Sequence, residues 1–288
     1  MSLSYATDKT LAEFSTFGIG GPIAYFAEVT TIEEMREGIL FSVDQDLPLF
    51  VLGRGSNCLF DDAGFSGVVL YNKIDFCTWK EGSLQAYVGG GYNFSLLGVQ
   101  SARKGWSGLE FGSGIPGSVG GAVFMNAGAN GRETSSSVVS VLYMDMDGNT
   151  REYRKDEIVF GYRFSSFQKK KGAIIAATFS FAKSATARNK QIQMVERRIK
   201  TQPLKEKSIG CIFRNPETVT AGFLIEQCGL KGFRVGGAKI SELHANFIVN
   251  DAGAKGADVN ALIKEIQYKV LRQTGFHLQP EIWHITNV

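Results

Sequence analysis

The chain has 288 residues, 44% of them apolar and 20% charged, and a net charge of +3. That length supports two or three subdomains, each with its own core. The charge is too small for nucleic acid to be the main partner, although a local basic patch can still hold a phosphate.

The start, MSLSYATDKT, has no export signal, and no apolar run nears the ~20 residues of a membrane span. In chain order, TTIEEMREGILFSVDQ (30–45) predicts a helix with Thr30 or Thr31 as N-cap. PLFVLGRGSNCLF (48–60) reads as strand, glycine-rich turn, strand. GFSGVVLYN and LQAYVGGGYN read as further strands, and FSLLGVQSARKG (94–105) as a helix. VVSVLYMDMDGNTREYRKDEI (138–158) carries a hairpin signal, and AIIAATFSFA (173–182) is a buried strand. SATARNKQIQMVERRIKTQ (184–202) is a polar helix that stops before Pro203. Composition shifts there, which places a boundary near residue 184. A smaller α/β unit follows: a short helix in VTAGFLIEQCGLKG (219–232), a strand in HANFIVN (244–250), and a closing strand in PEIWHI (280–285). Between the two strands lies an amphipathic helix over 256–275, with Val259, Ile263, Ile266 and Val270 on one face.

Four cysteines, Cys58, Cys77, Cys211 and Cys228, show neither metal nor disulfide spacing. Reduced thiols, a cytoplasmic protein and no metal are expected. Glycine is the outlier, at 34 residues. GSGIPG (112–117) matches the dinucleotide pattern G-x-G-x-x-G, but that fingerprint must leave a strand and open a helix. Ile115-Pro116 in its middle argues against a helix-opening turn. GLKGFRVGGAK (229–239) lacks the Gly-Lys-Ser/Thr of a P-loop. GRGSN (53–57) and GSGIPGSVGGAVFMNAGA (112–129) read better as two backbone nests whose N–H groups cradle a diphosphate. The competing reading is tight loops that serve only the fold. Cys211, inside GCIFRNP, can be a small buried hydrophobe, a redox thiol or a proton donor.

FSTFGIGG, LGRGSN, GLEFGSGIPGSVGGAVFMNAGA, FGYRFSSF, GCIFRNP, AGFLIEQCGLKG, HANFIVN and QPEI occur in one order over almost the whole chain. This ordered set resembles the UDP-N-acetylenolpyruvoylglucosamine reductase (MurB) family of peptidoglycan synthesis. The resemblance implies an α+β protein: an FAD-binding module of the vanillyl-alcohol-oxidase (PCMH) type in two subdomains, 1–66 and 67–184, and a C-terminal α/β substrate domain, 185–288. It implies non-covalent FAD and NADPH as electron donor. Hydride goes to C3 of the enolpyruvyl group of UDP-N-acetylglucosamine enolpyruvate, and C2 is then protonated. A monomer is expected, with no nucleic-acid or membrane partner.

By resemblance, Arg163 in FGYRFSSF stabilises the anion that hydride addition creates. Glu281 in QPEI is the second catalytic residue, either protonated or orienting Arg163 or a water. Cys211 stands where the family usually has a serine proton donor. A thiol, with a pKa near ~8.5, can fill that role. A charged neighbour such as Arg163 or Arg214 would favour the thiolate, which cannot donate. The flavin contacts implied are Gly53, Arg54, Gly55, Ser56, Asn57, Gly114, Ile115, Pro116, Gly117, Gly120, Gly121, Ala122, Asn126, Ala127, Gly128 and Arg214. The substrate contacts implied are Tyr162, Arg163, Gly210, Asn215, His244 and Glu281. Lys231 and Lys239 are softer candidates for a phosphate. The interval between Arg163 and Gly210 is too short for the insertion that gives some members a covering tyrosine, so this chain resembles the insertion-free type. Two other readings stay open: an FAD-dependent oxidase of an alcohol or sugar on the same scaffold, and a non-catalytic nucleotide-sugar-binding protein. None of His244, His277 and His284 lies in a glycine-rich loop, which argues against a histidine-tethered flavin.

Overall fold

Alternating apolar patterns and capped helices build two units, and the computed structural model describes residues 3–286 of them. One unit is Met1–Thr7, Tyr25–Arg54 and Gly67–Arg197; the other is Asp8–Ala24, Gly55–Ser66 and Arg198–Val288.

The first unit is built on two larger sheets. A three-stranded sheet runs in the order Ile23–Val29, Phe65–Asn72, Leu49–Leu52, the last two being parallel. Helix Ile32–Asp44 covers it. Thr31 caps that helix and Glu34 completes a capping box, so the predicted start holds to within a residue. Met35 and Ile39 drop from the helix into a core with Val68, Leu70 and Ile175. The second sheet has five antiparallel strands in the order Thr150–Arg154, Val138–Met144, Ala173–Ser180, Gln85–Gly89, Cys77–Lys80. The predicted hairpin is its first pair, with Met144 opposite Thr150. Helices Phe94–Arg103 and Val119–Phe124 bury Leu97, Val119 and Val123 against it.

The second unit has a four-stranded antiparallel sheet, in the order Ser208–Cys211, Phe247–Asn250, Ala238–Ile240, Arg234–Val235. Helices Ala221–Gln227 and Gly256–Thr274 pack on it. Val259, Ile263, Ile266 and Val270 are all in its core, as the 3.6-residue spacing requires. Gly275, at φ 78°, ends the long helix in the left-handed region. The strand predicted over 244–250 starts only at Phe247. Before it, His244 makes a tight turn: its carbonyl accepts from Phe247 N–H, and its Nδ1 accepts from Asn246 N–H at 3.2 Å. A separate parallel pair joins Cys58–Phe60 to Trp283–Ile285.

Candidate functional site

In the first unit, the glycine-rich stretch after helix Phe94–Arg103 makes a 3-10 turn, Glu110–Gly112, and then helix Val119–Phe124 with Ser118 as its cap. A helix therefore does open just beyond GSGIPG, contrary to the sequence expectation. No strand feeds the motif, so the dinucleotide fingerprint still fails on its other side. The row of free N–H groups expected here is not present. Gly114 N–H donates to Ser95 Oγ (2.7 Å) and Ile115 N–H to the Gly112 carbonyl (2.9 Å). Val119 and Gly120 donate to the Tyr92 and Gly90 carbonyls, and Gly121 to Ser118 Oγ. These donors are taken because the loop is stitched to residues 90–95. Its glycines therefore serve by being thin. Gly53, on the neighbouring loop, shows why: a Cβ there would sit 2.5 Å from Ser118 Oγ. Arg54 beside it is exposed.

The Asn126 side chain is committed to the protein. Its side chain is fully buried; the amide donates to Glu133 Oε2 and the Gly161 carbonyl, and the carbonyl oxygen accepts from Ser135 N–H, all at 2.9 Å. With every polar atom engaged internally, it braces the site and has only backbone to offer a ligand. Ala122, Ala127 and Gly128 continue the same brace, Ala127 N–H donating to the Ala122 carbonyl and Gly128 pairing with Glu133.

That brace holds Arg163. Phe160–Gly161 and Phe164–Ser165 form a hairpin with Tyr162-Arg163 as its two-residue turn. Ser165 Oγ and Gln168 Nε2 donate to the Phe124 carbonyl, and Gln168 Nε2 also donates to the Arg163 carbonyl. Arg163 has φ 55°, a left-handed conformation that favours glycine or asparagine. Keeping an arginine there costs roughly 1 kcal/mol. Its guanidinium lies over the exposed Tyr162 ring, 5.2 Å from the centroid. The anchored turn therefore holds a charged residue in a strained conformation.

In the second unit, strand Ser208–Cys211 pairs with Phe247–Asn250, but Ser208 faces Val249 while Cys211 faces Phe247. One strand therefore advances three residues against two, which is a β-bulge. Gly210, at φ 83° with open space at its Cβ position, supplies the left-handed residue. The bulge re-aims Cys211. On the other side, Glu281 N–H donates to the Ile212 carbonyl (2.7 Å) and Arg214 N–H to the Gln279 carbonyl (2.9 Å). Cys211 and Glu281 thus lie on adjacent backbone segments. Two residues further on, Trp283 N–H donates to the Asn57 carbonyl, tying the Gly55–Asn57 stretch to the same segment.

Asn57 Nδ2 and Arg214 Nε are sealed from solvent with no protein partner. Gly55 is buried, with its carbonyl accepting from Thr16 N–H; Ser56 follows it on the same loop. On the other loop Pro116 is exposed and Gly117 half-buried. Asn215 is exposed, and its Oδ1 accepts from Ala221 N–H, helping to start helix Ala221–Gln227. Lys231, one of the softer phosphate candidates, pairs with Glu226 (2.6 Å), and Lys239, the other, with Asp251 (3.0 Å). Burial pulls the His244 imidazole below its ordinary value, its own backbone pushing the other way and Lys231 pulling further. With Nδ1 accepting from Asn246, the neutral ring carries its proton on Nε2.

The sequence reading missed Arg198. Burial lowers its pKa, and the charge of Cys211 pushes the other way. It stands in the basic run VERRIKTQP, and only the fold shows that this arginine, among several, turns inward.

Comparisons with known proteins give the chain its relatives. A family model described as UDP-N-acetylenolpyruvoylglucosamine reductase, C-terminal domain, matches residues 202–285, and one described as FAD binding domain matches residues 23–154. The UDP-N-acetylenolpyruvoylglucosamine reductase of Protochlamydia amoebophila is 53% identical over 281 residues, covering 98% of this chain and 94% of that protein. The Chlamydia muridarum enzyme of the same name is 48% identical over 272 residues, covering 94% and 91%. The crystal structure of the reductase from Thermus caldophilus superposes with a TM-score of 0.84 at 35% identity, covering 99% of this chain and 100% of that one.

Proposed function

The chain belongs to the UDP-N-acetylenolpyruvoylglucosamine reductase family, and from that premise we propose how its residues carry out the reaction. It is an FAD-dependent oxidoreductase of peptidoglycan precursor synthesis that reduces UDP-N-acetylglucosamine enolpyruvate to UDP-N-acetylmuramate. Bound FAD supplies the hydride chemistry that links NADPH to the enolpyruvyl double bond.

The residues fit that group. Gly53 lets its loop pack directly against Ser118, and Asn57 Nδ2 is a sealed donor in need of an acceptor. Gly53 to Asn57, Gly114 to Ala122 and Asn126 to Gly128 hold the flavin non-covalently, with Gly117 and Ser118 offering backbone donors and Arg214 countering a phosphate charge. Arg163 carries fixed positive charge to the carboxylate that becomes enolate-like. Cys211 gives its proton to C2. Glu281, on the segment beside Cys211, is the second catalytic residue, protonated or orienting a water. Tyr162, Gly210, Asn215 and His244 line the substrate. The division into flavin subdomains 1–66 and 67–184 and a substrate domain 185–288 belongs to the same reading, as do a cytoplasmic location and a monomer. Among the described residues no helix is long and apolar enough to cross a membrane.

The observation that carries these roles is the bulge at Gly210, which sets Cys211 beside the Glu281 segment. The test is a visible spectrum of the purified protein, followed by anaerobic NADPH and then enolpyruvyl substrate. Expected are a yellow protein, bleaching by NADPH and return of colour with substrate. Return of colour only with oxygen would point to an oxidase, and a colourless protein that takes up no flavin would end the reading.

Thiol chemistry gives an independent check. Burial pushes the Cys58 thiol up to about 12 and the Cys77 thiol up to about 11, and it raises Cys228 as well. All three stay protonated and slow toward alkylation at pH 8. Iodoacetamide is therefore expected to inactivate the enzyme through Cys211, with substrate protecting it. Equal inactivation of Cys211→Ser would identify another thiol.

A further inference from the structure

We propose that Arg198 and Gln202 form an anion-holding pair beside Cys211 that seats a charged group of the substrate. This rests on the reductase reading above and adds two residues to it.

Gln202 follows helix Ala187–Thr201, and its N–H donates to the Arg198 carbonyl (2.9 Å), so the two side chains leave the same face one turn apart. Arg198 Nε and Gln202 Oε1 are both sealed from solvent, and neither makes a hydrogen bond. They do not bond each other, although in the same helix Arg188 donates directly to Gln191 Oε1. A donor and an acceptor, both closed off and both unused, are an arrangement that folding alone penalises.

The charge sharpens the point. A guanidinium does not shed its proton, so burial cannot neutralise it. Among the described residues, no carboxylate makes an ion pair with Arg198. The titratable groups coupled to it are Cys211 and the neutral His244. A cation half-withdrawn from water without a counter-ion is stabilised when an anion arrives. The pair therefore matches an anionic oxygen next to an N–H or O–H, the oxygen facing Arg198 and the hydrogen facing Gln202.

The substrate has two anionic groups for Arg198, the enolpyruvyl carboxylate and the diphosphate, and its sugar hydroxyls and acetamido N–H supply the hydrogen for Gln202 Oε1. The carboxylate is bonded to the carbon that Cys211 protonates, whereas the diphosphate is at the far side of the sugar. UDP-N-acetylglucosamine separates the sources, because it has the diphosphate and no carboxylate.

The experiment compares wild type, Arg198→Met, Arg198→Lys and Gln202→Leu. Calorimetric binding of UDP-N-acetylglucosamine is measured beside kcat and KM for the enolpyruvyl substrate and the rate of flavin bleaching by NADPH. Arg198→Met is expected to raise KM about 10- to 100-fold, the loss of a charged hydrogen bond. Arg198→Lys recovers part of it, Gln202→Leu shows a smaller rise, and bleaching is unchanged. An unchanged Kd for UDP-N-acetylglucosamine assigns the carboxylate, and a Kd raised by the same factor assigns the diphosphate. Wild-type KM in Gln202→Leu and in whichever Arg198 variant folds would overturn the proposal. So would a loss confined to Tm. A wild type that never turns over the enolpyruvyl substrate would instead remove the reductase reading.

Discussion

Cys211→Ala slows the return of flavin colour on adding enolpyruvyl substrate by about 10²- to 10⁴-fold, the contribution typical of a positioned acid. Bleaching by NADPH keeps its wild-type rate, since that step needs no proton at C2. The substitution removes the sulfur and little else. The bulge is built by Gly210 and by the backbone of strand Phe247–Asn250, and the Glu281 segment hangs on the Ile212 carbonyl. None of these depends on the Cys211 side chain, so the fold should tolerate alanine. Cys211→Ser retains substantial turnover, because the role asks only for a proton in the right place. The thiol is the stronger acid of the two, with a free value near ~8.5. Rapid-mixing absorbance of each half-reaction separately is the measurement. Equal slowing of both half-reactions would make Cys211 a structural residue.

The sequence made some of this legible and hid the rest for physical reasons. Helix Gly256–Thr274 and its buried face follow from local spacing, and the Val138–Met144 hairpin from its turn residues. The pairing of Cys58–Phe60 with Trp283–Ile285 joins segments more than two hundred positions apart, and no local pattern encodes a partner at that distance. Among site residues, the order of motifs pointed to Cys211, Arg163 and Glu281, but not to how they are held. GCIF does not announce a bulge, since a glycine before a cysteine is equally at home in a turn. The Asn126 side chain is a brace that leaves only backbone for a ligand, and the sequence hid this because an asparagine next to glycines reads the same whether its amide faces a ligand or the Glu133 carboxylate. Arg198 was hidden among five lysines and arginines between residues 197 and 207. Basic residues on a polar helix are normally solvated, and only burial singles one out.

Arg163 gives the last test, because its backbone and its side chain pull in opposite directions. Arg163→Ala is expected to lose about 3–4 kcal/mol of transition-state stabilisation, roughly 10²- to 10³-fold in the substrate half-reaction, the scale of a lost anion-hole donor. Arg163→Lys should recover only part, since an ammonium cannot fork onto a carboxylate. The turn itself would be better served by another residue: at φ 55°, glycine avoids the Cβ clash that arginine bears. Arg163→Gly should therefore fold at least as well as wild type, with Tm unchanged or higher, because Gln168, Ser165 and Asn126 still hold the hairpin. It should lose as much activity as Arg163→Ala. A residue kept for the fold would show the reverse pairing, low Tm with retained turnover. If Arg163→Gly melts early, or if Arg163→Ala reduces substrate at the wild-type rate, the guanidinium is not what the strained turn is for.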